Sequence, residues 1–135
     1  MKNKDLATDY LTRAGHRLAA LEVLLERKSF ADVVRESQEL IELCLKALLR
    51  ISGIDPPRSH DVSEILTDNL LRLPKEIQTH ATALAKISKK MRRDRELSFY
   101  GSEDLTPSDF YKEEDAQEAF QDAKWVYSTC RRVIS

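Results

Sequence analysis

SFADVVRESQELIELCLKALLRISG, residues 29–53, decides the fold class of this chain. Ser29 is placed to cap a helix, with Asp32 three residues on in the role that Glu or Gln usually takes. Gly53 is a natural C-terminal stop. Between them Phe30, Val33, Val34, Leu40, Ile41, Leu43, Cys44, Leu45, Leu48, Leu49 and Ile51 spread beyond one stripe and nearly encircle the second half. A helix apolar on more than one side is either the centre of its own bundle or shared between a core and a partner subunit. The pattern leaves both open, and the second predicts a homodimer.

The flanking sequence supplies partners for such a helix. Upstream, Ala7, Leu11, Ala14, Leu18, Leu21 and Leu25 recur at spacings of 4,3,4,3,4, which predicts a helix over residues 4–27. Gly15 lies beside this seam, where it lowers helix propensity but lets a neighbouring backbone approach closely. Downstream, Pro56 and Pro57 forbid helix in IDPPRSHD, and Ser59 or Asp61 caps a short helix over about 61–72 that carries Val62, Ile65, Leu66 and Leu70. Pro74 fits the first turn of the next helix, whose stripe of Ile77, Ala81, Leu84, Ile87 and Met91 runs to about residue 96. After a loop around Gly101, Thr106 is an N-cap, Pro107 a first-turn proline and Asp109 an acid at the third helical position. The last helix continues through Ala116, Phe120, Ala123, Tyr127, Cys130 and Ile134. Trp125 and Tyr127 do not share a face, so at most one of them sits squarely in the core. Four long helices, one short helix and no strand predict an all-α, up-and-down bundle, a single domain over 1–135.

Composition agrees and excludes several classes. At 135 residues, with 41% hydrophobic and 33% charged side chains, the chain suits one helical domain with a salt-bridged exterior. No run of about eighteen apolar residues occurs, so no membrane span is expected. MKNKDLATDY has no apolar stretch followed by a small-residue cleavage site, so this start does not read as a signal peptide. The two cysteines, Cys44 and Cys130, lie in apolar helical patterns without CxxC spacing, which predicts buried free thiols in a reducing cytoplasm. The three histidines, His16, His60 and His80, pair neither with each other nor with a cysteine at ligand spacing, so no metal and no cofactor is expected.

The net charge of −1 draws the chain to no nucleic acid globally, and no DNA partner is expected. Its distribution is uneven. Lys86, Lys89, Lys90, Arg92, Arg93 and Arg95 crowd residues 86–95, offset by Asp94; Glu103, Asp104, Asp109, Glu113, Glu114, Asp115, Glu118 and Asp122 follow against Lys112. The plain reading is that two neighbouring helices zip together through complementary faces. The functional reading is a basic edge of Lys89, Arg92, Arg93 and Arg95 that holds phosphates.

The run QELIELCLKALLRISGIDPPRSHDVSEIL, residues 38–66, resembles the signature of HEPN domains, named for higher eukaryotes and prokaryotes nucleotide-binding. That family has a glutamate and a lysine at i,i+4 ahead of Ala-Leu-Leu, then a glycine, a proline-containing loop and a Ser/Thr-His pair. Glu42, Lys46, Ala47-Leu48-Leu49, Gly53, Pro57 and Ser59-His60 match. The resemblance extends over the chain in helix order. It implies a four- to five-helix bundle, similar to nucleotidyltransferase substrate-binding subunits, that usually forms a homodimer. Many members are encoded beside a minimal nucleotidyltransferase as a toxin–antitoxin pair in prokaryotes. Active members are metal-independent ribonucleases built on an arginine, four to six residues, then a histidine, from both subunits. In one branch the motif reads arginine, four residues, histidine, any residue, tyrosine, and the tyrosine accepts AMP from the partner transferase.

Laid onto RRDRELSFYG, residues 92–101, the motif puts Arg93 at the arginine position, Tyr100 at the tyrosine position and Ser98 where the histidine belongs. No histidine follows His80. Metal-free RNA cleavage needs a base for the 2′-hydroxyl and an acid for the leaving oxygen, and imidazole serves both near neutral pH. A serine hydroxyl has no useful pKa for that work. Arg93 still offers a fork of phosphate donors, and Tyr100 a ring to stack on a base or a hydroxyl to accept a nucleotidyl group. His60 reads as a brace for the short helix in preference to a catalytic base, and Glu42–Lys46 as an i,i+4 ion pair. The expectation is a binding or regulatory module for a nucleotide, an RNA or a nucleotidyltransferase; the alternatives are a degenerate toxin ribonuclease and a purely structural oligomerisation module.

Overall fold

The computed structural model describes residues 2–59, 61–100 and 106–134, with the backbone alone over 92–100. The long helices are α1 (Lys2–Glu26), α2 (Phe30–Ile51), α5 (Ala81–Tyr100) and α7 (Glu113–Val133). Between them lie α3 (Ser63–Asp68), a 3-10 turn at Leu70–Arg72, α4 (Lys75–Gln78) and α6 (Pro107–Phe110). Every element among the described residues is helical, as the periodicities predict.

α2 is the centre. Its Leu40, Ile41, Cys44, Leu45, Ala47, Leu48 and Leu49 are all at most 1% exposed, covered by α1, α7 and α5 of the same chain. Phe30, Leu43 and Ile51 are half-buried against the same core. Of the two readings of this helix, the central position accounts for its encircling apolar surface without a second subunit.

Both ends of α2 are set by left-handed residues. α1 closes with Ser29 N donating to Leu24 O and Lys28 N to Leu25 O, a Schellman arrangement with Lys28 at φ 61°. α2 closes the same way, Ile54 N to Leu49 O and Gly53 N to Arg50 O, with Gly53 at φ 74° and Ile54 buried behind it. Ser29 stands at the N-cap position, yet its hydroxyl donates to the Asp32 carboxylate at 2.6 Å and caps no backbone N–H. The predicted cap is therefore corrected: the two side chains satisfy each other. Arg17 and Glu36, 2.7 Å apart, fasten α1 to α2.

Three predicted helices are broken where a side chain offers the backbone a better bond. Over 61–72, Asn69 Nδ2 donates to Ile65 O and the chain tightens into the 3-10 turn, leaving Leu71 88% exposed. Over 74–96, Thr79 and His80 interrupt: Thr79 Oγ1 donates to Glu76 O, and His80 meets the Trp125 ring edge-on at 5.5 Å. The second part then runs past 96 to Tyr100. Over 107–134, Thr106 caps α6 through Asp109 N as predicted, but Tyr111 turns extended and buries itself against Val34 and Ala119. Asp115 accepts from Lys112 N to start α7.

Small residues let the long helices close on each other: Ala7 and Ala14 on α1 and Ala116 and Ala123 on α7 are fully buried. Trp125 and Tyr127 are both only half-buried. A Cβ added at Gly15 would stand 2.9 Å from the Tyr127 hydroxyl oxygen, with ring carbons at 3.6 Å, so the close approach at Gly15 is made by a side chain and not by the backbone that the sequence suggested. In the native background Gly15→Ala sets a helix-propensity gain against displacement of Tyr127. In a Tyr127→Phe background the obstructing oxygen is gone, and the gain of about 1 kcal/mol should appear in full. Chemical denaturation of the four proteins checks this; an equal effect of Gly15→Ala in both backgrounds would remove the contact from the account.

Candidate functional site

The candidate site occupies the C-terminal half of α5. Ser88 is 2% exposed and bonds twice, its hydroxyl donating to Asp61 Oδ1 at 3.3 Å and accepting from Val62 N at 3.0 Å. Asp61 Oδ1 also accepts from Ser63 N at 2.9 Å, so one carboxylate starts α3 and ties the proline loop to α5. Of the two predicted caps, Asp61 does this work, while Ser59 donates to Asp61 O. Half a turn beyond Ser88, Lys90 reaches across to α7, 3.0 Å from Glu118 and 2.6 Å from Asp122. α5 is therefore clamped on two sides immediately before Arg92.

Leu84, Ser88 and Met91 face inward, which leaves Lys86 and Lys89 exposed on the outer side. Arg92, Arg93, Arg95, Ser98 and Tyr100 follow on continuous helical backbone, where the sequence suggested that the helix ends near 96. Their side chains lie outside the described residues, as does His60. The signature residues Glu42 and Lys46 are paired at 3.7 Å on α2, and Gly53 closes that helix at φ 74°.

The complementary-face reading holds for Lys90. It does not extend to all the acids, because Asp109 and Asp115 are consumed locally at the starts of α6 and α7. Lys86 and Lys89 form no ion pair with any described residue. Asp61, Glu118 and Asp122 were read as a cap and as part of the acidic face; Ser88 is the positioning residue that the sequence pattern did not single out. Its only signal was a serine on the inward stripe between Leu84 and Met91.

The chemistry open to the described residues is narrow. Burial raises the thiol of Cys44, with Cys130 adding to it, and pushes Cys130 up to about 12, so neither is a thiolate near neutral pH. Among the described residues no three His, Cys, Asp or Glu side chains gather as metal ligands, and no helix is long and apolar enough to cross a membrane.

Burial pulls the Lys90 ammonium down, but hydrogen bonds and charge from Asp122 and Glu118 together outweigh it and hold the group above the usual lysine value. A raised folded pKa gives stability that is complete below the unfolded value and lost as pH climbs through the folded one. Lys90→Met should cost about 1 kcal/mol at pH 7. The gap between the native and variant denaturation midpoints should stay constant up to about pH 10 and narrow above 10.5. A gap independent of pH up to 12 would assign the loss to packing.

No curated protein and no solved structure matches this chain. A family model does: the HEPN domain, over residues 7–133. That span takes in α1 from Ala7 onward, the other three long helices and both clamps on α5, and the resemblance carried by Glu42, Lys46, Gly53 and Ser59-His60 falls inside it. The chain belongs to the HEPN domain family.

Proposed function

We propose that this protein is a dimeric HEPN binding and regulatory module, which holds a nucleotide or RNA or docks a minimal nucleotidyltransferase in a toxin–antitoxin-like pair. It does not cleave its ligand. One observation carries the reading: α5 is clamped at Ser88 and Lys90 and continues as helix through Tyr100, so Arg93 and Tyr100 keep the motif's register on one helix while Ser98 stands in place of the imidazole that cleavage would need. Arginine forks bind phosphate oxygens bidentately, and a tyrosine ring stacks on any base. Lys86 and Lys89, exposed beside them, add charge without geometry. Two buried, unpaired thiols suit a reducing prokaryotic cytoplasm.

Binding and catalysis separate cleanly. A labelled single-stranded RNA titrated in EDTA should bind saturably and stay intact, and Arg93→Ala should weaken binding by about tenfold, the loss of one charge-assisted pair. RNA cleavage abolished by Arg93→Ala would instead make the chain a ribonuclease. Absence of saturable binding to RNA and ATP would leave a structural module.

Coexpression with a neighbouring nucleotidyltransferase tests the remaining role of the tyrosine. Mass spectrometry should place AMP on Tyr100, and Tyr100→Phe should remain unmodified; equal modification of that variant would refute the assignment.

A further inference from the structure

One pole of the bundle gathers the start of α1, the exit of α2, the Leu70–Arg72 turn, α4 and the end of α7. Arg50 Nη1 donates to Asn3 Oδ1 at 3.4 Å and stands 3.6 Å from Asp55. Arg72 donates to Gly53 O at 2.7 Å, and Arg132 on the last turn of α7 lies 3.7 Å from Glu76 on α4. α5 leaves this pole and carries its basic end toward α6 and the start of α7 at the other.

Leu71 projects from the first pole. It is 88% exposed, with Leu70 half-exposed beside it. A lone exposed leucine is ordinary, but this one is held in place. Arg72 N donates to Asn69 O, Leu73 N to Leu70 O and Gln78 Nε2 to Leu73 O, while Leu73 and Ile77 are buried beneath the turn. A turn fixed in this way offers an apolar knob with little backbone left to order on binding.

The charges around the knob are not those that local helix preferences select. Cations are favoured at helix C-termini and acids at N-termini, which accounts for Arg50, Arg131 and Arg132 at the ends of α2 and α7. It does not account for Lys2 and Lys4 in the first turn of α1, or for Lys75 as the first residue of α4. Lys2, Lys4, Lys75 and Arg131 are exposed and form no ion pair with any described residue. Arg72 meets a carbonyl and keeps its charge uncompensated. The unpaired acids set against these five are Asp5 and Asp68, so the pole is basic around an apolar knob.

The chemistry of the knob and its surroundings selects the partner. A nucleobase stacks on an aromatic ring, and among the described residues the exposed ring is that of Phe110, on α6 at the other pole. An anionic lipid surface would press its headgroups against Asp55, whose side chain is 97% exposed two residues from the carbonyl that anchors Arg72. A protein surface can set carboxylates beside an apolar socket and still leave room for Asp55. We infer that this pole docks an acidic segment of another protein, whose apolar socket receives Leu71 and whose flanking carboxylates meet Lys75, Arg131 and the α1 lysines. The surface is separate from the α5 end and does not depend on the function proposed there.

Fluorescence anisotropy of the full chain with a labelled helical peptide, leucines along one face and glutamates on either side, tests it. Binding should saturate and weaken as salt rises. It should fall by about tenfold with Leu71→Ser, and by about tenfold with Lys75→Glu combined with Arg131→Glu, through lost apolar contact in the first case and like charge in the second. Leu71 is so exposed that Leu71→Ser should leave the thermal midpoint unchanged, so its loss of binding reports contact and not folding. The same peptide with lysine for glutamate should not bind. Absence of saturable binding to the glutamate peptide, or equal binding by the Leu71→Ser chain, would overturn the docking surface. Phosphatidylserine vesicles or single-stranded RNA that bind through Leu71 while the peptide does not would give the pole to a membrane or a nucleic acid instead. RNA binding at the α5 end should be the same in all these variants.

Discussion

Burial of most of the girth of the second half of α2 is the constraint around which the other helices are arranged. Leu40, Leu45, Leu48 and Leu49 are at most 1% exposed, and burying each such side chain is worth roughly 1.5–3 kcal/mol. No single neighbour can supply that cover. α1 takes one side, α7 another, and α5 closes the remainder, while alanines on α1 and α7 let the backbones approach. An excess of apolar residues on one helix thus dictates a bundle of at least four.

Polar groups then decide where the peripheral helix sits. α5 is held by polar bonds as well as by packing, through Ser88 and Lys90 beside the buried Leu84 and Met91. The Ser88 hydroxyl joins a loop N–H to a carboxylate that also starts α3, so the proline loop, α3 and α5 move as one unit.

The candidate site was partly legible beforehand. Arg93, Ser98 and Tyr100 were readable through family register, since the motif is defined by sequence separation alone. The basic run and its acidic answer were readable as charge, and Lys90 with Glu118 and Asp122 follows that reading. The capping role of Asp109 and Asp115 was harder to see, because a helix start and a salt-bridge partner draw on the same carboxylates. Ser88 was hidden for a related reason: its partners, Asp61 and Val62, come from a loop whose placement no periodicity encodes.

Taken by itself, the sequence determined the all-α class, the four long helices, the stop at Gly53, the close approach at Gly15 and the burial of both thiols. Each follows from local periodicity or from a property of one residue type. The tertiary structure decided where three predicted helices break, whether the apolar girth of α2 is spent inside the chain, and which charges pair. Those outcomes are competitions: Asn69, Thr79 and Tyr111 each exchange a turn of helix for a side-chain bond or a buried ring, and the exchange is favourable only once the neighbouring helices are in place.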